Sequence, residues 1–186
     1  MKIYQNLNDQ KLIAQIKTGK IGVIPTDTIY GLVGSAFDRS AVERIYRVRK
    51  RNLKKPMIIL IGKISDLKLF GINVKAETAK ILKKFWPGPV SIILPCQNRK
   101  FDYLHRGTKS LAFRLPAKTD LVKLLQKTGP LVAPSANIEG EMSAENIPEA
   151  QKYFGDNIDF YVDQGELIGK PSELIKIENN KIVILR

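Results

Sequence analysis

A single cysteine, Cys96, and a single histidine, His105, stand among the 186 residues, so neither a disulfide framework nor a Cys/His zinc site can be assembled within the chain. The usual sets for covalent hydrolysis, Ser/His/Asp or Cys/His, are missing as well, and His105, in DYLHRGTKS, reads as a loop residue and not as a general base. Absent too are the glycine-rich phosphate loop of P-loop proteins, the glycine-rich dinucleotide turn and the HExxH pair, so any bound phosphate must be held mainly by side chains. No window approaches about 18 consecutive apolar residues. The N-terminal MKIYQNLNDQ has neither a long apolar core nor a small-residue cleavage site, which argues against insertion or export and leads to the expectation of a cytoplasmic protein. Aromatics make up 8%, and no stretch interleaves exposed aromatics with cations as a stacking platform for nucleic acid requires.

Acid is scarce at the front of the chain. Residues 1–136 carry 26 Lys/Arg against 8 Asp/Glu, whereas residues 137–186 carry 5 against 10, so a net charge of +13 divides into +18 and −5. A basic body of this kind attracts polyanions or small anionic substrates through a long-range field that salt weakens. Lysine supplies 22 of the 31 basic residues, and lysine enrichment is also what a solvated surface looks like. One reading is therefore a protein whose patch at 44–55 grips tRNA or other double-stranded RNA without catalysis of its own.

With 44% hydrophobic residues the chain is long enough for one sizeable core, and it reads as one domain over 1–186. DQKLIAQIKT predicts a helix with Leu12, Ile13 and Ile16 on its inner face, capped by Asn8 or Asp9 and stopped by Gly19. A strand KIGVIP follows, then a polar loop and GLVGSAF. Residues 40–50 predict a second helix with the stripe Val42, Ile45 and Tyr46, capped by Asp38 or Ser40. KKPMIILIG is a strand apolar enough to be buried on both faces. KAETAKILKKFW is a helix turning Ala79, Leu82, Phe85 and Trp86 inward, followed by a strand in VSIILP. LAFRLP is a strand by alternation, and TDLVKLLQKTG a helix capped by Thr119 or Asp120 and ended by Gly129. A short strand opens PLVAPSAN. The tail adds a capped segment, AENIPEAQKYFG, a strand DFYVD, and strands ELIKIE and KIVILR joined at Asn179-Asn180. Interleaved helices and strands with a final hairpin specify an α/β class with a mixed sheet.

Three places carry candidate chemistry. RIYRVRKRNLKK, residues 44–55, has seven basic groups and no acid. Arg49 lies three residues after Tyr46 and seven after Val42, so it continues the stripe that faces the core, where a guanidinium must meet an anion or a polar cavity. Arg51, just past the helix end, is close enough to point the same way. In LAFRLP, Ala112 and Arg114 share one face, and an arginine in mid-strand is either paired with an acid, perhaps one from the tail, or free to hold an anion. In LVAPSAN, Ser135 and Asn137 would point to the same side of an extended backbone and suit phosphate or sugar oxygens, although the same residues also make an ordinary turn.

IPTDTIYGL, the basic pair followed by KKPMIIL, FWPGPVSIILP, LAFRLP and APSAN, in this order and spacing, resemble the successive motifs of the YrdC-like threonylcarbamoyl-adenylate synthases. The resemblance covers nearly the whole chain and corresponds to the short form of the family, without the additional C-terminal domain. It implies a twisted mixed sheet with flanking helices around an open, positively charged cavity. It also implies the conversion of L-threonine, bicarbonate and ATP to threonylcarbamoyl-AMP and pyrophosphate, with Mg2+ carried by the nucleotide and no dedicated protein metal site. A separate transferase complex would then place the threonylcarbamoyl group on adenosine 37 of tRNAs reading ANN codons.

Position by position, the resemblance assigns Arg49 and Arg51 as catalytic cations on the triphosphate, with Ser135, Asn137 and Arg186 also at the nucleotide. Thr26, Arg114 and Ser172 fall at the threonine. Tyr30 either closes the pocket with its ring or is ordinary core. The chain departs from the family pattern at Arg49, where lysine is usual, at Asn52, where proline is usual, at Glu173, where a threonine is common, and at Glu139, where a serine is usual. Glu139 is expected to add a negative charge near the phosphates.

Overall fold

The computed structural model describes residues 2–178 and 181–186. The expected turn at Asn179-Asn180 lies outside the described residues. The chain begins with β1 (Lys2–Tyr4) and α1 (Gln10–Lys17), where the Asp9 carboxylate accepts from the N–H groups of Lys11 and Leu12 and Gly19 turns the chain away at φ 80°. A hairpin of β2 (Gly22–Pro25) and β3 (Tyr30–Ser35) follows, and α2 (Arg39–Val48) starts on Asp38, which accepts from the N–H groups of Ser40 and Ala41. Next come β4 (Ile58–Leu60), α3 (Ala76–Phe85), β5 (Val90–Pro95), the short α4 (Asp102–His105), β6 (Ser110–Arg114) and α5 (Thr119–Thr128). The chain finishes with β7 (Leu131–Val132), α6 (Ile147–Phe154), β8 (Phe160–Val162), β9 (Glu173–Glu178) and β10 (Lys181–Ile184).

These strands form one mixed sheet in the order β1-β8-β2-β3-β7-β4-β6-β5-β9-β10. β8 runs parallel to β1 and β2, β4 parallel to β6, and β5 parallel to β9, while the remaining pairs are antiparallel. The α/β expectation with an antiparallel final pair is thus met.

Alternation along each strand feeds two separate cores. Val23, Leu32, Ile59 and Phe113 point to the side packed by α2 and α6, whereas Ile24, Val33, Leu60 and Phe160 point to the side packed by α1 and α5. Burying a leucine or isoleucine side chain contributes roughly 1.5–3 kcal/mol, so Leu12, Ile13 and Ile16 suffice to hold an eight-residue helix that is too short to be stable alone.

The structure corrects the sequence reading in four places. β1 and β3 were not expected. β3 escapes notice because Gly31 and Gly34 interrupt it, yet Gly34 is what admits α2: a Cβ there would stand 2.9 Å from Ile21 and 3.3 Å from Ala41. The N-cap of α5 is Lys118, which makes no side-chain cap, so Thr119 and Asp120 sit inside the first turn, where Asp120 faces the positive end of the helix. His105 closes α4 instead of lying in a loop. It is buried, its Nδ1 accepts from the Gly107 N–H at 3.2 Å and its Nε2 is 2.9 Å from Asp102.

Gly22 shows how tightly the sheet is packed. A Cβ there would lie 2.2 Å from the Phe160 carbonyl oxygen and 2.3 Å from its ring. Gly22→Ala is expected to destabilise the fold by about 1–3 kcal/mol, read in urea unfolding as a lower midpoint at unchanged slope.

Candidate active site

On the face where α1 and α5 cover Leu60 at the end of β4, the start of β4 at Ile58 and the neighbouring parts of β5 and β6 are left open and floor a cavity of about 300 Å³. Ile58, Ala112 and Ile93 lie side by side in register and make its apolar base. The strand period puts Ser110, Ala112 and Arg114 on this face while Leu111 and Phe113 enter the opposite core, the alternation read from LAFRLP.

Arg49 is the C-cap of α2 and is 2% exposed. Its Nε donates to the Asn137 carbonyl at 2.9 Å, and one Nη2 reaches both the Asn137 side-chain oxygen at 2.9 Å and the Ser135 hydroxyl at 3.2 Å. Its Nη1 is buried without a partner. All of its described acceptors are neutral. Burial pushes this guanidinium down to about 10, with Arg51 adding to the fall and Glu139 opposing it. It stays cationic near neutral pH, and among the described residues no carboxylate is in direct contact with it. Arg51 lines the same cavity, held by the carbonyls of Lys55 at 3.2 Å and Pro56 at 2.9 Å.

The four residues between β2 and β3 form a turn built on Thr26, whose hydroxyl accepts from the N–H groups of Thr28 and Ile29 at 3.1 and 3.3 Å and lies 2.7 Å from the Ile29 carbonyl, to which it can donate. Arg114 comes up from β6 into this turn. Its Nη1 donates to the Thr28 hydroxyl at 2.8 Å, and its Nη2 lies 3.3 Å from Asp27. The acid beside Arg114 is therefore Asp27 and not a tail residue. Burial lowers the Arg114 pKa, Asp27 opposes that, and Arg186 adds to it. The Nε of Arg114 has no partner.

The segment between β8 and β9 crosses over this turn. Tyr30, fully buried, donates its hydroxyl to the Gly165 carbonyl at 2.7 Å and accepts from the Gln164 N–H at 3.2 Å, so its ring packs in the core and its hydroxyl ties down the crossing segment. Gly169 presses so closely on the turn that a Cβ would stand 2.0 Å from the Thr28 carbonyl oxygen. Beyond it, Ser172 shares a 2.9 Å hydrogen bond with Ser91, and Arg186 donates to the Ser172 carbonyl at 3.1 Å.

Seven of the eight residues singled out from the sequence, Thr26, Arg49, Arg51, Arg114, Ser135, Ser172 and Arg186, line this one cavity. Asn137 does not. It stands behind Arg49, its amide donating to the Ile138 and Glu141 carbonyls at 2.8 Å, so its described role is to hold the guanidinium. The described lining contains four arginines and no acidic residue. The backbone around Ser135 is not simply extended: Ser135 bridges Gly31, and the Asn137 N–H turns back to the Ser135 carbonyl at 3.0 Å.

Ser91 and the Gly169 crossing escaped the sequence reading, whereas Thr28, in the polar PTDT stretch with Thr26, carried its signal in the sequence and lines the cavity. Glu139 is outside the described lining and is paired with Lys55 at 2.8 Å, so its charge is compensated within the protein.

The sequence model of the Sua5, YciO and YrdC family, described as telomere recombination, matches residues 14–186. The threonylcarbamoyl-AMP synthase of Pyrococcus abyssi is 34% identical over 92% of this chain and 51% of its own length. A Methanocaldococcus jannaschii protein provisionally given the same name is 32% identical over 100% of this chain and 91% of its own. The crystal structure of P. abyssi Sua5 complexed with L-threonine superposes with a TM-score of 0.88 at 31% identity, covering 100% of this chain and 56% of that one. The chain thus spans about half the length of the P. abyssi relative.

Asn137→Ala removes the carboxamide that anchors Arg49. A hydrogen bond to a charged group contributes about 1.5–3 kcal/mol. The variant is expected to lose stability of that order in chemical denaturation and to weaken binding of inorganic phosphates in calorimetry.

Proposed function

Because the chain belongs to the Sua5, YciO and YrdC family, we propose that it makes threonylcarbamoyl-AMP from L-threonine, bicarbonate and ATP with release of pyrophosphate. The observation that carries this reading is Arg49: a buried guanidinium among neutral acceptors, with one unpartnered N–H group, in a cavity whose described lining adds three further arginines and no acid. Such a pocket is completed by a polyanion.

The threonine carboxylate would lie at Arg114, whose unpartnered Nε is the donor left over after Thr28 and Asp27 are served. Thr26 and Ser172 would border it. The triphosphate would lie at Arg49 and Arg51, with the Ser135 hydroxyl beside them. Arg186 stands at the Ser172 carbonyl and near enough to Arg114 to depress its pKa, so it would contact the nucleotide from the threonine side. With no carboxylate in the described lining, magnesium would be held through the nucleotide's own oxygens, supplying charge neutralisation there.

Bicarbonate loses hydroxide to become CO2, the nitrogen of the threonine amine bonds to that carbon, and the proton given up by the amine joins the hydroxide and leaves as water. The carbamate oxygen then forms a bond to the α-phosphorus, and the bond to the β-phosphate oxygen breaks. Pyrophosphate carries away the electron pair. No protein nucleophile is needed, and the arginines act by holding the two anions together and stabilising the charge that develops. On this reading the chain works in the cytoplasm and passes its product to a separate transferase complex that modifies tRNA. Among the described residues no helix is long and apolar enough to cross a membrane.

The RNA-binding reading loses support at its own patch. Arg44 is bound to Asp159, Arg49 is buried, Arg51 is held by carbonyls and Lys55 is paired with Glu139, so four of the seven cations at 44–55 are engaged within the protein.

Pyrophosphate release that requires both threonine and bicarbonate is the expected result for the purified chain. Release indifferent to threonine would end the proposal. Arg51→Ala is expected to lower turnover about ten- to a hundredfold, and Arg114→Ala to raise the threonine requirement most. An Arg114 variant that lost ATP binding while keeping threonine affinity would exchange the two subsites.

A further inference from the structure

We infer that Glu139 is a positioning residue for the arginine pair, acting through a carboxylate clamp on the loop that holds Arg51. This rests on the reading of the cavity as a polyphosphate site. Arg51 has a like charge, Arg49, close enough to depress the Arg49 pKa, and it stays in place because the carbonyls of Lys55 and Pro56 accept from it. Those carbonyls belong to an exposed loop, residues 52–56, without regular secondary structure. Glu139 grips that loop at two points. One carboxylate oxygen accepts from the Asn52 N–H and the other meets the Lys55 ammonium at 2.8 Å.

Its backbone is fixed as well: the Glu139 N–H donates to the Arg49 carbonyl at 2.9 Å. One residue thereby joins the end of α2, the loop carrying the Arg51 acceptors, and the segment that presents Ser135 and Asn137. Its side chain does not line the cavity, so it acts through its neighbours and not on a ligand.

The residue types suit this contact: Asn52 is not a proline, and only a non-proline offers the N–H that the carboxylate accepts. A proline in such a loop would stiffen it by restricting its own backbone. Here a side-chain clamp does that work, and residues 52 and 139 form one unit. The Lys55–Glu139 pair is solvent-exposed on the lysine side and adds about 0–1 kcal/mol to stability at most. Removing it should leave the fold intact.

The test uses calorimetric binding of inorganic tripolyphosphate to the full chain, beside steady-state constants for ATP and threonine. Glu139→Ala and Glu139→Ser are each expected to weaken tripolyphosphate binding and raise the KM for ATP about three- to tenfold, with the KM for threonine unchanged and a thermal midpoint near that of the parent. Glu139→Gln, which keeps an acceptor for the Asn52 N–H, should fall between. Adding Asn52→Pro to Glu139→Ser should restore tripolyphosphate affinity, since the stiffer loop no longer needs the clamp. Unchanged tripolyphosphate affinity in Glu139→Ala, or equal rises in both KM values, would overturn the assignment. If the parent chain released no threonine-dependent pyrophosphate while Glu139→Ala still lost tripolyphosphate affinity, the synthase reading would fall and the positioning role would stand.

Discussion

The rest of the site depends on one buried cation. Arg49 is withdrawn from water at the end of α2 and meets only neutral oxygens among the described residues. A guanidinium so placed keeps its charge because it cannot readily be deprotonated, and it therefore presents an unbalanced positive potential to the cavity. Everything around it serves to hold that charge without cancelling it. Asn137 and Ser135 accept from it, and Glu139, whose charge Arg49 feels, is engaged by Asn52 and Lys55. An acid placed directly on Arg49 would stabilise the empty protein and compete with any incoming anion.

Arg114 solves the same problem differently. It faces Asp27, but the ion contact at 3.3 Å is not aligned as a hydrogen bond, since the Asp27 oxygen concerned has no hydrogen-bond partner. The other Asp27 oxygen accepts from the Ala117 N–H at 3.0 Å, so this carboxylate ties the start of the α5 approach to the PTDT turn. One end of the cavity thus holds bare positive charge and the other holds charge partly balanced. That difference suits a polyphosphate at the first and a single carboxylate beside an amine at the second.

The sheet converts these local choices into one pocket. Strand alternation sends Leu111 and Phe113 into a core and leaves Ser110, Ala112 and Arg114 on the open face. Order in the sheet then brings together chain segments far apart in sequence: Gly31 bridges Ser135, Ile58 aligns with Ala112, and Val90 aligns with Glu173 just after Ser172. The architecture so formed matches that of P. abyssi Sua5 over 100% of this chain and 56% of that one.

Much of this was legible without coordinates. The phase of Val42, Ile45 and Tyr46 carried Arg49 inward because helical periodicity is a local property, and the alternation in LAFRLP separated Arg114 from Leu111 and Phe113 for the same reason. Helix caps at Asp9 and Asp38 followed from short-range hydrogen bonding. What no local rule supplied was partnership across the chain. That Arg114 would meet Asp27 and Thr28, that Asn137 would stand behind Arg49 and not beside a ligand, and that Glu139 would be drawn to Asn52 and Lys55 depended on strand order and on the crossing of the 163–172 segment. Side-chain period is set by the backbone of a few neighbouring residues, so the sequence determines which way each cation points; which groups wait there is decided only when distant strands pair.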